Sequence, residues 1–229
     1  MTSKEKLVIA ITTEVLVTIV VVALIFRGPG KVAGQTVSAP TPTPTRIIQN
    51  SSMQAAASSG DGMHGAPKPA DTTVFNSLLN NPAPDFTLES YDGRKITLSQ
   101  LKGKNVVLFF NEGIMCYPAC WNQIAAFGKD KEFAANGTVV LNINVDAKND
   151  WAGAVKKMPE LAAGTVLLDN DRKVSTAYGV LTTESSMHRG QYPGHSYVII
   201  DKEGVVRFVW DDPQMAVRNR EILAEVAKL

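Results

Sequence analysis

Cysteine is scarce in this chain: two residues in 229, Cys116 and Cys120. Two cysteines cannot make the framework of a disulfide-stapled scaffold, and their closeness points to thiol chemistry or metal binding. An excess of either charge is also missing. Lysine and arginine total 23 against 22 acidic residues, for a net charge of +1. No basic patch stands out, so a nucleic acid partner has no support. Long apolar runs are confined to one stretch, Leu7 to Phe26. With 45% hydrophobic residues, the chain has material for one sizeable domain but not for two domains and a tail.

The apolar stretch 7–26 is interrupted only by Glu14 and a few threonines, and it has the length of a bilayer-spanning helix. A cleaved secretory signal usually has a shorter apolar core. Val32-Ala33-Gly34 offers a weak cleavage site for that minor reading. Residues 1–6 then form a short cytoplasmic head. A short head before a long C-terminal domain suits a signal anchor, so a single-pass membrane protein with its C-terminal domain outside the cytoplasm is expected. Residues 27–73 change composition. Ala39 to Thr45 alternates proline with threonine, and Ser51 to Gly65 is mostly Ser, Ala, Gly and Met, a combination expected to be a disordered tether.

The folded domain is expected over residues 74–229. Thr87-Leu88, a Tyr91-Asp92-Gly93-Arg94 turn and Lys95 to Leu98 read as a hairpin. Val106 to Phe110 is a continuous apolar run, as in a strand buried on both faces. A helix is expected from Pro118 to about Ala135, with Ile124, Phe127 and Phe133 on its apolar side. Thr138 to Val145 reads as a strand. A helix capped by Asn149 or Asp150 follows, to about Met158. Thr165 to Asp169 is a short strand, Asp171 to Tyr178 a short helix, and Thr182 to Gly194 a polar loop. A strand, turn and strand span Ser196 to Trp210, and a last helix runs from Asp212-Pro213 to Lys228. Strands alternating with helices, then a closing hairpin and helix, indicate an α/β architecture.

The two cysteines stand between the apolar strand and the helix that follows it. Unpaired N–H groups and the positive dipole end at a helix start favour thiolate over thiol. Cys116 is therefore the expected nucleophile and Cys120 the resolving thiol, joined in a reversible rather than structural bond. His195 is a candidate metal ligand, a base for a thiol, or a capped surface residue. Trp121 is expected to pack beside the pair. Arg189, His188 and Glu112 are expected to be solvated, with Arg189 a candidate auxiliary if the loop carries it inward.

Several segments in order resemble the peroxiredoxin and redoxin (AhpC/TSA-like) group of the thioredoxin superfamily. They are Ala83-Pro84-Asp85-Phe86-Thr87-Leu88, Asp92-Gly93, Leu98 to Lys104, the strand into Cys116, Ala177-Tyr178-Gly179-Val180 and Val198 to Arg207. The resemblance implies a thioredoxin-like fold, a central mixed sheet flanked by helices. It also implies a cofactor-free enzyme that uses an external thiol reductant and a peroxide or protein disulfide as substrate. Phe109 stands where the group carries a proline, Gly113 where it carries a threonine or serine, and His195 where it carries an arginine. Those positions also resemble Sco-type copper chaperones, in Cys116, Pro118, Cys120 and Gly194-His195-Ser196. That alternative implies copper held by Cys116, Cys120 and His195, a soft donor set suited to Cu(I). The leading expectation is a membrane-anchored, extracytoplasmic thiol oxidoreductase that cycles a Cys116–Cys120 disulfide. Copper delivery is the alternative, and a tethered binding domain with incidental cysteines a third possibility.

Overall fold

A computed structural model describes residues 68–229, which lie within one compact unit of the chain. The expected membrane span 7–26 and residues 27–67 of the expected tether lie outside the described residues. No helix among the described residues is long and apolar enough to cross a membrane. The last residues assigned to the tether are pinned to the domain. The Asp71 N–H donates to the Thr182 carbonyl at 2.8 Å, and the Thr182 hydroxyl donates to the Asp71 carbonyl at 2.6 Å.

The first helix, α1, is Thr73–Ser77. The hairpin forms as expected, with β1 (Thr87–Ser90) antiparallel to β2 (Lys95–Thr97). Gly93 lies at φ +90 in its turn, a conformation that glycine adopts without penalty. Next come β3 (Asn105–Phe110), α2 (Ala119–Lys129), α3 (Lys131–Ala135), β4 (Thr138–Asn144) and α4 (Lys148–Lys157). They are followed by β5 (Val166–Leu168), α5 (Lys173–Ala177), β6 (Ser196–Ile200), β7 (Val206–Asp211) and α6 (Asn219–Val226). The strands form one mixed sheet in the order β2-β1-β5-β4-β3-β6-β7. β3 runs parallel to β4 and antiparallel to β6, so the strand that leads to the cysteines lies inside the sheet.

Every residue of β3 is buried. Successive side chains of a strand point to opposite faces, so β3 feeds both cores. Val106, Leu108 and Phe110 pack with Phe75, Leu141 and Tyr178 on one face. Val107 and Phe109 pack with Trp121, Ile124, Phe127, Tyr197 and Ile222 on the other. A thioredoxin-like arrangement results, with helices on both sides of the sheet.

Three expected boundaries are corrected. The helix expected through residue 135 breaks at Asp130, whose backbone is extended and whose carboxylate accepts the Glu132 N–H and caps α3. The helix expected from Asp212 begins only at Asn219. Asp212 instead folds the preceding loop, accepting from the N–H groups of Gln214 and Ala216 and pairing with Arg218 at 2.8 Å. α4 starts at Lys148, preceded by Ala147 rather than by an Asn or Asp cap.

Candidate redox site

The β3–α2 connection is built from buried polar groups. Asn111 donates to the carbonyls of Phe109 and Ile143, and its side-chain oxygen accepts the Gly113 N–H at 2.9 Å. The next turn, Gly113–Cys116, is a 3-10 helix. Gly113 lies at φ +58, and a β-carbon there would come within 1.8 Å of Asp146 Oδ2. That same carboxylate oxygen accepts the Ile114 N–H at 2.9 Å. Burial pushes the Asp146 carboxyl up to about 6; the Ile114 N–H opposes the shift and the negative charge of Asp150 adds to it.

Cys116 and Cys120 are joined as a disulfide with Cα atoms 5.4 Å apart, inside the ordinary disulfide range. Spacing along one continuous helix would have put them near its upper end. The chain solves this by placing Cys116 in the 3-10 turn, extending Tyr117, and starting α2 only at Ala119. Cys120 is thus in the first turn of α2. Both cysteines are buried, while Met115 and Tyr117 between and beside them are exposed. Trp121 is buried and donates its indole N–H to the Gly113 carbonyl at 3.1 Å. Its ring meets Tyr117 edge-on at 5.0 Å. A cavity of about 370 Å³, lined by Ile114, Tyr117, Trp121, Lys157 and Met158, lies beside this turn.

His195 immediately precedes β6. The ring is fully buried, with Nδ1 3.5 Å from Cys120 Sγ and Nε2 2.9 Å from the Tyr197 hydroxyl. Its edge packs on Phe109 at a centroid distance of 4.6 Å. Burial lowers its pKa to about 4, against the pull of the Asp212 charge, the Ala216 backbone and the Asp211 charge, so the imidazole is neutral at physiological pH. Gly194 leaves no room for a side chain: a β-carbon would meet Thr183 Oγ1 at 2.2 Å and Ser185 Oγ at 2.3 Å. The Ser185 hydroxyl takes the His195 backbone N–H at 2.6 Å and is held by Asp211.

The other expected residues divide. Arg189 directs its guanidinium to the backbone carbonyls of Thr183, Glu184 and Lys68; it braces the loop and makes no hydrogen bond to the pair. Glu112, expected to be solvated, is buried. It accepts from the N–H groups of Met187 and His188 at 2.6 and 3.2 Å and faces His188 Nδ1 at 3.1 Å. This clasp ties the cysteine turn to the 182–194 loop. Sequence reasoning missed Tyr197, Gln123, Asp146 and Met215. Two had a usable signal. Tyr197 shares a strand face with His195 by the period of two, and Gln123 shares a helix face with Cys120 at i+3. Asp146 and Met215 had none. The Met215 thioether reaches Cys116 Sγ at 4.0 Å from a left-handed backbone, φ +51.

A mixed sheet with a dithiol pair at the first turn of the helix after a central strand defines a thioredoxin-type redox domain. The AhpC/TSA family model matches residues 79–209, more than half of the chain; the chain belongs to the AhpC/TSA family. It is 34% identical over 130 residues to a chloroplastic peroxiredoxin Q of Sedum lineare, covering 56% of this chain and 66% of that protein. It is also 34% identical over 147 residues to peroxiredoxin-2 of Macaca fascicularis, covering 58% and 68%. The chain spans 66%, 57% and 63% of the first three peroxiredoxin Q relatives. Among solved structures, the mitochondrial 2-Cys peroxiredoxin of Plasmodium falciparum aligns with TM-score 0.54 and 26% identity, over 66% of this chain and 92% of that one. The reduced 2-Cys peroxiredoxin of Plasmodium vivax aligns with TM-score 0.53 and 25% identity, over 64% and 78%. Cys116, Cys120 and His195 place their donor atoms within 4.8 Å of one another, as the Sco resemblance implies, but the family found does not favour the copper alternative.

Proposed function

We propose that this protein is a thiol-dependent peroxidase of the peroxiredoxin type, with Cys116 as nucleophile and Cys120 as resolving thiol. The observation that carries the reading is the Cys116–Cys120 disulfide, set at the first turn of α2 in an AhpC/TSA domain. In the reaction the Cys116 thiolate attacks a peroxide oxygen, the O–O bond breaks, and the alcohol or water leaves after protonation. Cys116 becomes a sulfenic acid. Cys120 then attacks Cys116 Sγ, water leaves, and the disulfide closes. An external dithiol supplies two electrons and two protons to reopen it, itself becoming a disulfide. Thiol and disulfide carry all the electrons, so the reading calls for no cofactor. The apolar stretch 7–26 supports a further part of the proposal: a single membrane anchor with the redox domain on the extracytoplasmic side.

The test is stopped-flow tryptophan fluorescence of the reduced full chain mixed with hydrogen peroxide, with Trp121 as the reporter beside Cys120. Oxidation is expected to be many-fold faster than that of free cysteine and to vanish in Cys116→Ser. A rate equal to that of free cysteine would remove peroxide as the substrate and leave protein disulfides as the oxidant.

A further inference from the structure

The hydrogen bonds behind His195 decide which of its nitrogens carries the proton. At the far end of the network the roles admit no choice. The Asp130 carboxylate and the Ala126 carbonyl only accept, so the contacts Asn219 makes to them, 2.8 and 3.2 Å, come from its amide nitrogen. Asn219 Oδ1 therefore accepts from Gln123 Nε2 at 2.8 Å. The backbone N–H of Arg218 only donates, and it meets Gln123 Oε1 at 2.6 Å, which fixes the same orientation of the Gln123 amide. The Tyr197 hydroxyl lies 3.1 Å from that oxygen. Two oxygens at this distance need a proton between them, and only the phenol has one. Tyr197 has thus committed its single proton, so the 2.9 Å contact between Tyr197 and His195 Nε2 is donated by the imidazole. A neutral imidazole has one N–H. The lone pair is then on Nδ1, which faces Cys120 Sγ at 3.5 Å.

Resting on the redox reading above, we propose that His195 serves Cys120 rather than Cys116. It is the general base that takes the proton from the Cys120 thiol as that sulfur attacks oxidised Cys116. Tyr197, Gln123 and Asn219 are positioning residues that hold it in the competent tautomer. The step balances: Cys120 S–H gives its proton to Nδ1, the S–S bond forms as the S–O bond of the Cys116 sulfenic acid breaks, and the departing hydroxide takes the proton from Nδ1 and leaves as water. The imidazole returns neutral. This assigns a task to the residue that stands where the peroxiredoxin group carries an arginine, and it is a different task from binding peroxide at Cys116. The groups that face His195 are Cys120 from α2, Tyr197 from β6, Asp211 at the end of β7, and the Ala216 backbone and the Asp212–Arg218 pair from the loop before α6. Asp211 is held by Ser185 and Ser196.

A test that needs no peroxide separates this proposal from the peroxidase reading. The reduced full chain is mixed with an aromatic disulfide that releases a coloured thiolate. Cys116 releases the first equivalent and is left in a mixed disulfide; attack by Cys120 releases the second, and Cys120→Ser should release only one. His195→Ala and Tyr197→Phe are expected to slow the second phase by about tenfold or more, leave the first in place, and move the second phase to higher pH. Tyr197→Phe keeps the ring and removes only the hydroxyl, so it decides the matter if His195→Ala does not fold. The ring ¹⁵N spectrum of the reduced Tyr197→Phe protein should also lose its single-tautomer signature. An unchanged second phase in Tyr197→Phe, or equal slowing of both phases, would overturn the proposal. Loss of peroxide reactivity with this pattern intact would sink the peroxidase reading alone.

Discussion

Position 113 concentrates three demands on one residue. The backbone is at φ +58, a β-carbon would sit 1.8 Å from the Asp146 carboxylate, and the carbonyl receives the Trp121 indole N–H. Only glycine meets the first two, which explains why a hydroxyl residue is absent where the peroxiredoxin group carries one. Asp146 and His195 are also tied to acid stability, with opposite signs. The native Asp146 carboxyl, raised to about 6, binds a proton more tightly than the unfolded chain does between about pH 4 and 6. Its contribution to stability therefore falls as pH rises through that window. The native His195, lowered to about 4, binds a proton less tightly than the unfolded chain does between about pH 4 and 6.5, so its contribution rises with pH. Relative to the parent protein, Asp146→Asn should make the slope of stability against pH between 4 and 6 more positive, and His195→Ala should make it more negative. Each change amounts to something on the order of 1–3 kcal/mol across the window. Urea unfolding at intervals between pH 4 and 7 measures this directly. Slopes shifted in the same direction by both substitutions would contradict the assignment.

At the scale of elements, the sequence pattern located every strand and placed the cysteines at the junction of β3 and α2. Helix ends were less legible, and for one reason. Aspartate is a good helix cap, but its carboxylate serves whichever N–H groups the tertiary fold brings to it. Asp212 reads as the start of the last helix and in fact folds a seven-residue loop, the one that carries Met215 to Cys116. Asp130 reads as an interior residue of one long helix and in fact divides it, capping α3 and receiving Asn219 from α6. Asp130→Ala is expected to cost about 1 kcal/mol through the lost cap. The loss should appear as a lower thermal midpoint, and an unchanged midpoint would mean that the break at Asp130 is held by packing alone. The polar loop 182–194 was recognised as a loop. That it is clasped by Glu112 and Asp211 was not legible, because those carboxylates arrive from elements far away in sequence.

At the scale of the whole molecule, stability resides in the sheet. β3 is buried on both faces between two apolar clusters, whereas the disulfide closes a loop between residues only four apart in sequence. Loop-closure entropy for so short a ring is worth at most about 2 kcal/mol. Reduction should therefore leave the protein folded, with a modestly lower urea midpoint, as a catalytic pair requires; global unfolding on adding dithiol would make the bond a structural staple instead. The sequence by itself determined the α/β architecture and the Cys116–Cys120 pair, and its resemblance to the peroxiredoxin group implied the thioredoxin-like core. Strand and helix periodicities and a local C-x-x-x-C motif are properties of neighbouring residues, and they survive without knowledge of the fold. Only the tertiary structure decided what acts on that pair. His195 faces Cys120 with Nδ1 because Tyr197, Gln123 and Asn219 converge from a strand and two helices. Gly113 is bare because Asp146 crosses from the end of β4. Hydrogen-bond direction and steric exclusion depend on distances between residues remote in sequence, and no local pattern encodes those distances.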